Sequence, residues 1–262
     1  SMSVDIPRIA GLREQLWGAL ADIPGVECNG DPVRRVAGIL SVTVDGVEGE
    51  TLLLALADLA VSSGSACASL HAEPSYVLRA LGRSDRLAQS TLRLSLGRFT
   101  TAREVEQAGM RIRAEIVRLR AGEPRSSTCP EAPDDPRYNP EVRRRLHALP
   151  GWGDLPDAAS VAKGRAGDRE QGTEVAFAVR IERNRVAEAR FRAFGCPHVL
   201  AAASWVAEAA LGLDCDQLAA WDWQEAASVL GVPPAKFGRL LTLQDAIRAV
   251  VRNWPSTTGS TV

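Results

Sequence analysis

The chain has 262 residues, of which 45% are hydrophobic and 24% are charged, and its formal net charge is −1. This length is enough for one large or two ordinary domains, each with an apolar core. The balanced charge excludes a general attraction to nucleic acids or membranes, and no apolar run is long enough to cross a bilayer. Five cysteines lie far apart without a CxxC pair, which argues against a zinc knuckle or a disulfide framework: Cys28, Cys67, Cys129, Cys196 and Cys215.

The N-terminus lacks the basic and apolar regions of a secretory signal. Scattered cysteines without a pairing pattern are typical of proteins from reduced compartments. We therefore expect a cytoplasmic protein.

The first part of the chain predicts a mixture of helices and strands. Leu40, Val42 and Val44 alternate with less apolar residues, as in a strand with one buried face. The predicted elements are helices over 12–20 and 51–61, strands over 39–44 and 92–96, and a helix that starts at the capping box of Thr101 and Glu104.

Residues 122–137 mark a break in composition. Four prolines among Ser, Gly and Asp residues make this stretch a poor helix or strand. We interpret it as a linker between a domain over 1–121 and a domain over 138–262.

The second part predicts an antiparallel hairpin followed by helices. Residues 175–181 alternate between apolar and less apolar types, and residues 182–185 suit a tight turn. The returning strand is expected to place Ala187, Ala189, Phe191 and Ala193 inward. A helix should begin at Pro197 and end at Gly212, and a last helix should follow Pro233 and Pro234.

The most informative segment is Val61-Ser62-Ser63-Gly64-Ser65-Ala66-Cys67, a single cysteine among small polar residues. Such residues favour an exposed, flexible loop. A mobile thiol suits a sulfur carrier, because the sulfur must visit a donor and then an acceptor. The alternative is an ordinary small core cysteine.

This segment and its flanks, residues 8–120, resemble the C-terminal small domain of group I cysteine desulfurases of the NifS/IscS type. The resemblance continues through residues 73–82, EPSYVLRALG, and residues 94–100, LSLGRFT. It implies that Cys67 takes up sulfur as a persulfide and that Arg93 holds the carboxylate of the substrate. For Arg93 the alternative is a surface position at a strand edge.

The pyridoxal-phosphate domain of such desulfurases has no match in this chain. That cofactor supplies the electron sink for the reaction. The resemblance therefore implies that the chain is not active alone on cysteine. We expect no tightly bound cofactor in this chain alone, and pyridoxal phosphate on a partner subunit.

Cys196 closes a predicted strand and precedes a predicted helix. The helix dipole and the free backbone N–H groups at such a position favour a thiolate. The alternative is an inert buried thiol at a strand–helix junction.

Residues 138–254 resemble the IscU-type iron–sulfur scaffold. The resemblance rests on Tyr138-Asn139-Pro140, residues 189–196, residues 232–236 and Asp245-Ala246-Ile247. Such scaffolds bind a cluster or zinc through three cysteines, aided by an aspartate or histidine. Here one of the three cysteines remains, Cys196, and Gly238-Arg239 stand where the histidine and the third cysteine belong. The implied metal ligands are Cys196 and Asp168, with His198 as an additional candidate.

The predicted fold class is α+β with two domains: a desulfurase-type small α/β domain and an IscU-like α+β domain with an antiparallel sheet and flanking helices. The predicted function is sulfur trafficking in iron–sulfur cluster or thio-cofactor biosynthesis, with persulfide sulfur relayed from Cys67 to Cys196. The chain would act as a persulfide sulfurtransferase or as a split cysteine desulfurase subunit.

The expected partners are a desulfurase subunit that bears pyridoxal phosphate and a sulfur-acceptor protein. We expect no binding to nucleic acid or to a membrane. A homodimer is possible from the sequence. Two alternatives remain from the sequence. One is a non-catalytic regulator of a cysteine desulfurase, and the other is a scaffold whose iron–sulfur cluster is shared between subunits.

Overall fold

The computed structural model describes residues 2–63, 74–123 and 137–255. The elements up to Ala121 form a first compact unit, and those after residue 137 form a second. Both units combine helices with an antiparallel sheet, so the α+β class is confirmed. The proposed linker falls mostly on 124–136, outside the described residues. Over the described ranges, no helix is long and apolar enough to span a membrane.

The first unit is built on a four-stranded antiparallel sheet of order β1-β2-β4-β3. One sheet face carries the apolar core, which α1 and α5 cover. The other face is polar, with Ser41 opposite Arg93 and Thr43 opposite Thr91. The elements are α1 (Met2–Gly18), β1 (Val26–Cys28), β2 (Ile39–Val44), α2 (Gly49–Ala55), β3 (Ser62–Ser63), α3 (Tyr76–Ala80), α4 (Asp85–Gln89), β4 (Thr91–Ser95) and α5 (Ala102–Ala121).

The strand predicted over 39–44 is confirmed, whereas the helix predicted over 51–61 ends at Ala55. Arg111 of α5 donates to the carbonyl oxygen of Ala55 at 2.8 Å and to the carboxylate of Asp58. A longer helix would need that carbonyl for its own ladder. The chain therefore turns out of the helix and reaches β3.

Arg111 belongs to a buried ion cluster inside the first unit. Glu115 is 1% exposed, and its carboxylate accepts from Arg111 at 2.5 Å and from Arg118 at 2.6 Å. Burial alone would lower the pKa of Arg111, but the hydrogen bond from Glu115 and the charges of Glu115 and Asp58 raise it. The cluster fixes α5 to the turn between α2 and β3.

We predict that Glu115→Ala lowers the free energy of unfolding of the first unit by about 3 kcal/mol, because Arg111 and Arg118 lose the buried carboxylate that they share. Urea denaturation followed by circular dichroism measures the loss. Glu106→Ala, on an exposed position of the same helix, should cost less than about 0.5 kcal/mol. Equal effects of the two substitutions would contradict this account of the cluster.

The second unit has a three-stranded antiparallel sheet of order β5-β6-β7. The α7 helix lies against β7, and α10 lies against β5. The core includes the rings of Phe177 and Phe191, whose centroids are 6.4 Å apart. The elements are α6 (Pro140–Ala148), β5 (Val161–Asp168), β6 (Thr173–Glu182), β7 (Arg185–Phe194), α7 (Pro197–Ala209), α8 (Cys215–Ala219), α9 (Trp223–Leu230) and α10 (Phe237–Arg252).

The predicted hairpin is present, with positive φ at both turn residues, 183 and 184. The prediction that Ala187 faces inward is wrong, because Ala187 is exposed and Val186 is buried instead. Val186 pairs with Ile181, and the next pair of the ladder joins Glu188 to Arg180. Ala187 is thus the extra residue of a bulge, which shifts the alternation by one position.

The sequence did not indicate β5, because its glycines and charged residues do not look like a strand. The structure explains them by the close approach of α10. A Cβ on Gly164 would lie 2.3 Å from the carbonyl oxygen of Ala246, and one on Gly167 would lie 2.7 Å from Cγ2 of Thr242. At Gly164 only glycine leaves room for the helix, whereas at Gly167 the nearest atom to an added Cβ is the carbonyl oxygen of Thr173 in β6, at 2.3 Å.

Candidate functional site

Arg93 lies on the polar face of the first sheet, in the middle of β4. It is half-buried and stands between Ser41 of β2 and Ser62 of β3. Its side chain lines a cavity of about 230 Å³, together with Asn29, Gly30, Ser41, Ser75, Val77, Leu78 and Leu81. Across the described part of the chain, no hydrogen bond or ion pair engages the Arg93 guanidinium. A guanidinium that lines a cavity in this way is suited to a carboxylate ligand.

A hydrogen-bond network holds one wall of this cavity in place. The Asn29 amide donates to Ser41 Oγ at 3.2 Å, and its oxygen accepts from Arg83 Nε at 2.8 Å. The Thr43 hydroxyl donates a hydrogen bond to the oxygen of the same amide, and it is also hydrogen-bonded with Thr91 Oγ1 at 2.8 Å. The network ties β1, β2, β4 and the α3–α4 turn together, so the cavity wall is rigidly defined.

Cys67 lies in 64–73, outside the described residues. The described residues on either side of that segment both belong to the Arg93 cavity region. Ser62 pairs with Arg93, and Ser75 lines the cavity. Described residues before and after the segment, Ser62 and Ser75, therefore both lie in the Arg93 region.

Cys196 lies in the second unit, between β7 and α7. It is the N-cap of α7, with extended backbone angles and Pro197 at the first helical position. The residue has no exposed surface. Its neighbour His198 is also buried, and the His198 ring lies 5.0 Å from the ring of Tyr138. The strand–helix junction predicted at Cys196 is thus present, with the thiol covered.

A buried arginine fixes α6 against the helix that Cys196 caps. Arg145 Nε pairs with Glu141 at 2.7 Å and Nη2 with Glu208 of α7 at 2.6 Å. Nη1 also donates to Ser204 of α7 at 3.2 Å. Hydrogen bonds from Arg144 and Arg145 hold the pKa of Glu141 at about 2, against the opposing effect of burial. The stabilisation from Glu141 is therefore complete above pH about 4.5 and is lost as the pH falls toward about 2.

In the part of the chain that the structure describes, the implied ligands Cys196 and Asp168 do not belong to a group of three or more ligand side chains. Asp168 is exposed at the end of β5, and its carboxylate accepts from the backbone N–H of Glu170 at 2.9 Å. Cys196 is buried beyond β7, with β6 between the two strands. Among the residues that the structure describes, no three His, Cys, Asp or Glu side chains are grouped as ligands. This donor set does not fit zinc or an iron–sulfur cluster, which require several converging ligands.

The chain also does not fit pyridoxal phosphate. Its sequence has two lysines, Lys163 and Lys236, and both lie in the second unit. Lys163 pairs with Asp154 at 3.3 Å and Asp157 at 2.8 Å. Lys236 lies 5.6 Å from the centroid of the Tyr138 ring. The first unit therefore has no lysine to bind that cofactor.

Two functional features were not predicted from the sequence. A run of three arginines, as over 143–145, is typical of a solvated basic face, yet Arg145 is buried. Its position three residues after Val142 and one before Leu146, both buried, was the available signal. The Asn29 network was also missed, because its members are far apart in sequence and meet only through strand pairing.

Two protein-family models match the chain. Aminotransferase class-V matches residues 5–108, and the NifU-like N-terminal domain matches residues 138–261. Over 119 residues the chain is 53% identical to Cysteine desulfurase IscS of Salmonella schwarzengrund, covering 45% of this chain and 30% of that protein. Over 117 residues it is 56% identical to the protein of the same name from Aeromonas hydrophila subsp. hydrophila, covering 45% and 29%. The chain thus spans less than a third of these curated relatives.

Solved structures show similarity to each unit separately. A NifS-like protein from Rickettsia africae is 26% identical with a TM-score of 0.38, covering 44% of this chain and 29% of that chain. An N-terminal NifU-like protein from Brucella abortus is 14% identical with a TM-score of 0.31, covering 44% and 94%. By the family models and the curated relatives, the chain joins an aminotransferase class-V fragment to a NifU-like N-terminal domain. Both resemblances stated from the sequence are confirmed.

We predict that Arg145→Ala lowers the free energy of unfolding of the second unit by about 3 kcal/mol, because it leaves Glu141 and Glu208 without their shared buried partner. Arg144→Ala is the matched control, since Arg144 also bonds Glu141 but its side chain is 57% exposed. That change should cost less than about 1 kcal/mol. The free energies of unfolding of both variants are measured by denaturation at pH 7. A larger loss of stability in Arg144→Ala than in Arg145→Ala would refute the positioning role of Arg145.

Proposed function

We propose that this chain, an aminotransferase class-V fragment joined to a NifU-like N-terminal domain, carries sulfur in iron–sulfur cluster or thio-cofactor biosynthesis. In this proposal Cys67 receives persulfide sulfur and Cys196 of the same chain accepts it. The observation that supports the proposal is that described residues flanking the Cys67 segment lie beside Arg93, while a second cysteine, Cys196, is the N-cap of α7. The names of the relatives, Cysteine desulfurase IscS, support the sulfur chemistry.

Arg93 is the proposed contact for the carboxylate of a cysteine substrate. The guanidinium has a polar cavity wall of Ser41 and Asn29 beside it and no ion pair within the described ranges. Cys67 follows Ser63 by four residues, and four extended residues span at most roughly 14 Å. The sequence therefore places Cys67 within a short chain distance of β3, the strand that pairs with Arg93.

The transfer step is an exchange between thiol and persulfide. The thiolate of Cys196 attacks the outer sulfur of the Cys67 persulfide, which forms a new S–S bond on Cys196. The original S–S bond breaks, and Cys67 leaves as a thiolate with the electron pair. No net oxidant or reductant is consumed, so the step needs nothing beyond the two cysteines and the delivered sulfur.

Fusion of the two units favours this transfer. A covalent link keeps acceptor and donor at an effective concentration near the millimolar range for short flexible connections. Separate proteins would reach such concentrations only by binding each other. Fusion therefore raises the rate of sulfur transfer without any additional contact between donor and acceptor.

The source of the sulfur is proposed to be a separate desulfurase subunit that carries pyridoxal phosphate. That cofactor supplies the electron sink needed to release sulfur from cysteine. The first unit has no lysine for it, and the chain spans less than a third of the curated desulfurases. Arg93 and Cys67 would complete the site of that subunit, while the cofactor stays on the partner.

The burial of Cys196 favours one rival function. A thiol without exposed surface cannot react until the residues over it move. If they do not move, the chain would instead bind a desulfurase and regulate it without carrying sulfur. The two functions differ in whether sulfur ever appears on Cys196.

The test is intact-protein mass spectrometry without reductant, after mixing the chain with an active group I desulfurase, pyridoxal phosphate and ³⁴S-cysteine. We expect labelled sulfur on Cys196 of the wild type, loss of that label in Cys67→Ser, and label confined to Cys67 in Cys196→Ser. Peptide mapping assigns the sulfur.

Cys215→Ser is the control and should behave as wild type. Burial, with the charges of Asp216 and Asp214, raises the pKa of the Cys215 thiol, which makes it a poor nucleophile. Absence of label on both Cys67 and Cys196, with the desulfurase shown to be active, would contradict the sulfur relay. The regulatory function would then be the one supported.

A further inference from the structure

Ser41 is the direct cross-strand partner of Arg93 in the first sheet. The two residues pair across β2 and β4, so their side chains project from the same sheet face with Cβ atoms roughly 5 Å apart. Both residues line the cavity of about 230 Å³. A small ligand that binds the Arg93 guanidinium in this cavity can therefore also contact the Ser41 hydroxyl.

The side-chain amide of Asn29 has a fixed orientation beside Ser41. Arg83 Nε donates to Asn29 Oδ1 at 2.8 Å, and a guanidinium can only donate. The amide oxygen is therefore the atom on the Arg83 side, and the amide nitrogen is the atom that meets the hydroxyl of Ser41. This nitrogen lies 3.2 Å from Ser41 Oγ and 2.9 Å from Thr43 Oγ1. Because an NH2 group can only donate, the Ser41 oxygen must act as the acceptor.

The proton of the Ser41 hydroxyl remains available to a ligand. A serine hydroxyl has one proton to donate, and here the bond to Asn29 uses only its oxygen. Over the described ranges that bond is the one hydrogen bond of the Ser41 side chain. Thr43 differs, because its hydroxyl is also bonded to Thr91, which donates in turn to the carbonyl oxygen of Leu87 at 3.0 Å. Ser41 thus keeps a donor for the cavity that Thr43 does not.

The other walls of the cavity suit a short aliphatic carboxylate. Three aliphatic side chains line it: Val77, Leu78 and Leu81. Among the described residues that line the cavity, none is acidic. The acidic side chains close to it in sequence already have partners, since Glu27 pairs with Arg83 and Asp31 pairs with Arg34 at 3.1 Å. An anion in the cavity would therefore meet two donors and an apolar wall, without a carboxylate of the lining to repel it.

We infer that Ser41 is a second binding residue for the carboxylate of a small aliphatic amino acid in the Arg93 cavity. Arg93 supplies the positive charge, and the Ser41 hydroxyl supplies a directed hydrogen bond. Asn29 is a positioning residue, because it acts on the ligand through Ser41. The inference rests on the proposed function and deepens it, by naming the group that holds the substrate together with Arg93.

The test is a titration of the full-length chain with L-alanine, followed through the NMR shifts of its backbone amides. L-Alanine offers a carboxylate and a short aliphatic side chain without a thiol, so no sulfur chemistry intervenes. L-Alaninamide is the control ligand, because a neutral amide replaces the carboxylate. We expect saturable shifts around Ser41 and Arg93 with L-alanine and none with L-alaninamide.

We expect Ser41→Ala to weaken the binding of L-alanine about fivefold, because one hydrogen bond to a charged acceptor is lost. Ser41→Thr should retain most of the affinity, since it keeps the hydroxyl. Ser95→Ala is the matched control and should bind as wild type does. Ser95 is an exposed serine two residues after Arg93 on the same strand, and it is not among the residues that line the cavity. The amide spectrum of each variant shows whether the fold is retained.

Asn29→Asp tests the positioning role. An ionised aspartate has no proton to donate, so the Ser41 hydroxyl would donate to it and turn away from the cavity, while the bond from Arg83 is kept. We expect the loss of affinity caused by Asn29→Asp to be about fivefold smaller when Ser41 is already alanine. Equal losses in the two backgrounds would mean that the added charge acts alone, and they would refute a role of Asn29 through Ser41.

Equal affinities of wild type and Ser41→Ala for L-alanine would overturn the inference, and so would a wild-type chain without saturable shifts. Failure of the proposed function is recorded separately, by the transfer of labelled sulfur. Label that reaches Cys196 while L-alanine binding does not depend on Ser41 would contradict this inference alone. Binding that depends on Ser41, without label on Cys67 or Cys196, would support the carboxylate site and contradict the sulfur relay.

Discussion

Buried arginine–carboxylate clusters are the interactions on which both candidate sites depend. In the first unit Glu115 holds Arg111, and Arg111 ends α2 and fixes the turn that leads to β3 and the cysteine-bearing segment. In the second unit Arg145 binds carboxylates of α6 and α7 and so fixes the helix that Cys196 caps. Burying such groups is costly unless every charge has a partner. The clusters therefore define one arrangement of the α2–β3 turn and one of α7, the helix that Cys196 caps.

The two candidate sites share an electrostatic character. In the first unit Arg93 pairs with Ser62 of β3, the strand that precedes the Cys67 segment in sequence, and in the second unit Cys196 is the N-cap of α7, at the positive end of the helix dipole. Positive surroundings favour thiolates and perthiolates over neutral thiols, and they disfavour divalent metals. In the proposed function sulfur thus moves between two sites that both stabilise its anionic form.

Much of the fold could be predicted from sequence because its signals were local. The alternation over 39–44, the capping box at Thr101 and the turn at 183–184 each depend on neighbouring residues. What could not be predicted depends on distant contacts. β5 is glycine-rich because α10 lies on it, and Ala187 is exposed because of a bulge. The candidate cysteines were found by resemblance, whereas the burial of Cys196 and the Asn29 network appear only when the strands are paired.

The central claim is that sulfur passes between Cys67 and Cys196 of one chain. The most direct measurement is the rate at which Cys196 acquires labelled sulfur. It compares wild type with an equimolar mixture of Cys67→Ser and Cys196→Ser chains. Both samples are diluted tenfold while desulfurase and labelled cysteine are kept saturating. The account predicts a rate in wild type that is independent of dilution, and a slower rate in the mixture that falls in proportion to concentration. A wild-type rate that falls with dilution as the mixture does would contradict transfer within one chain.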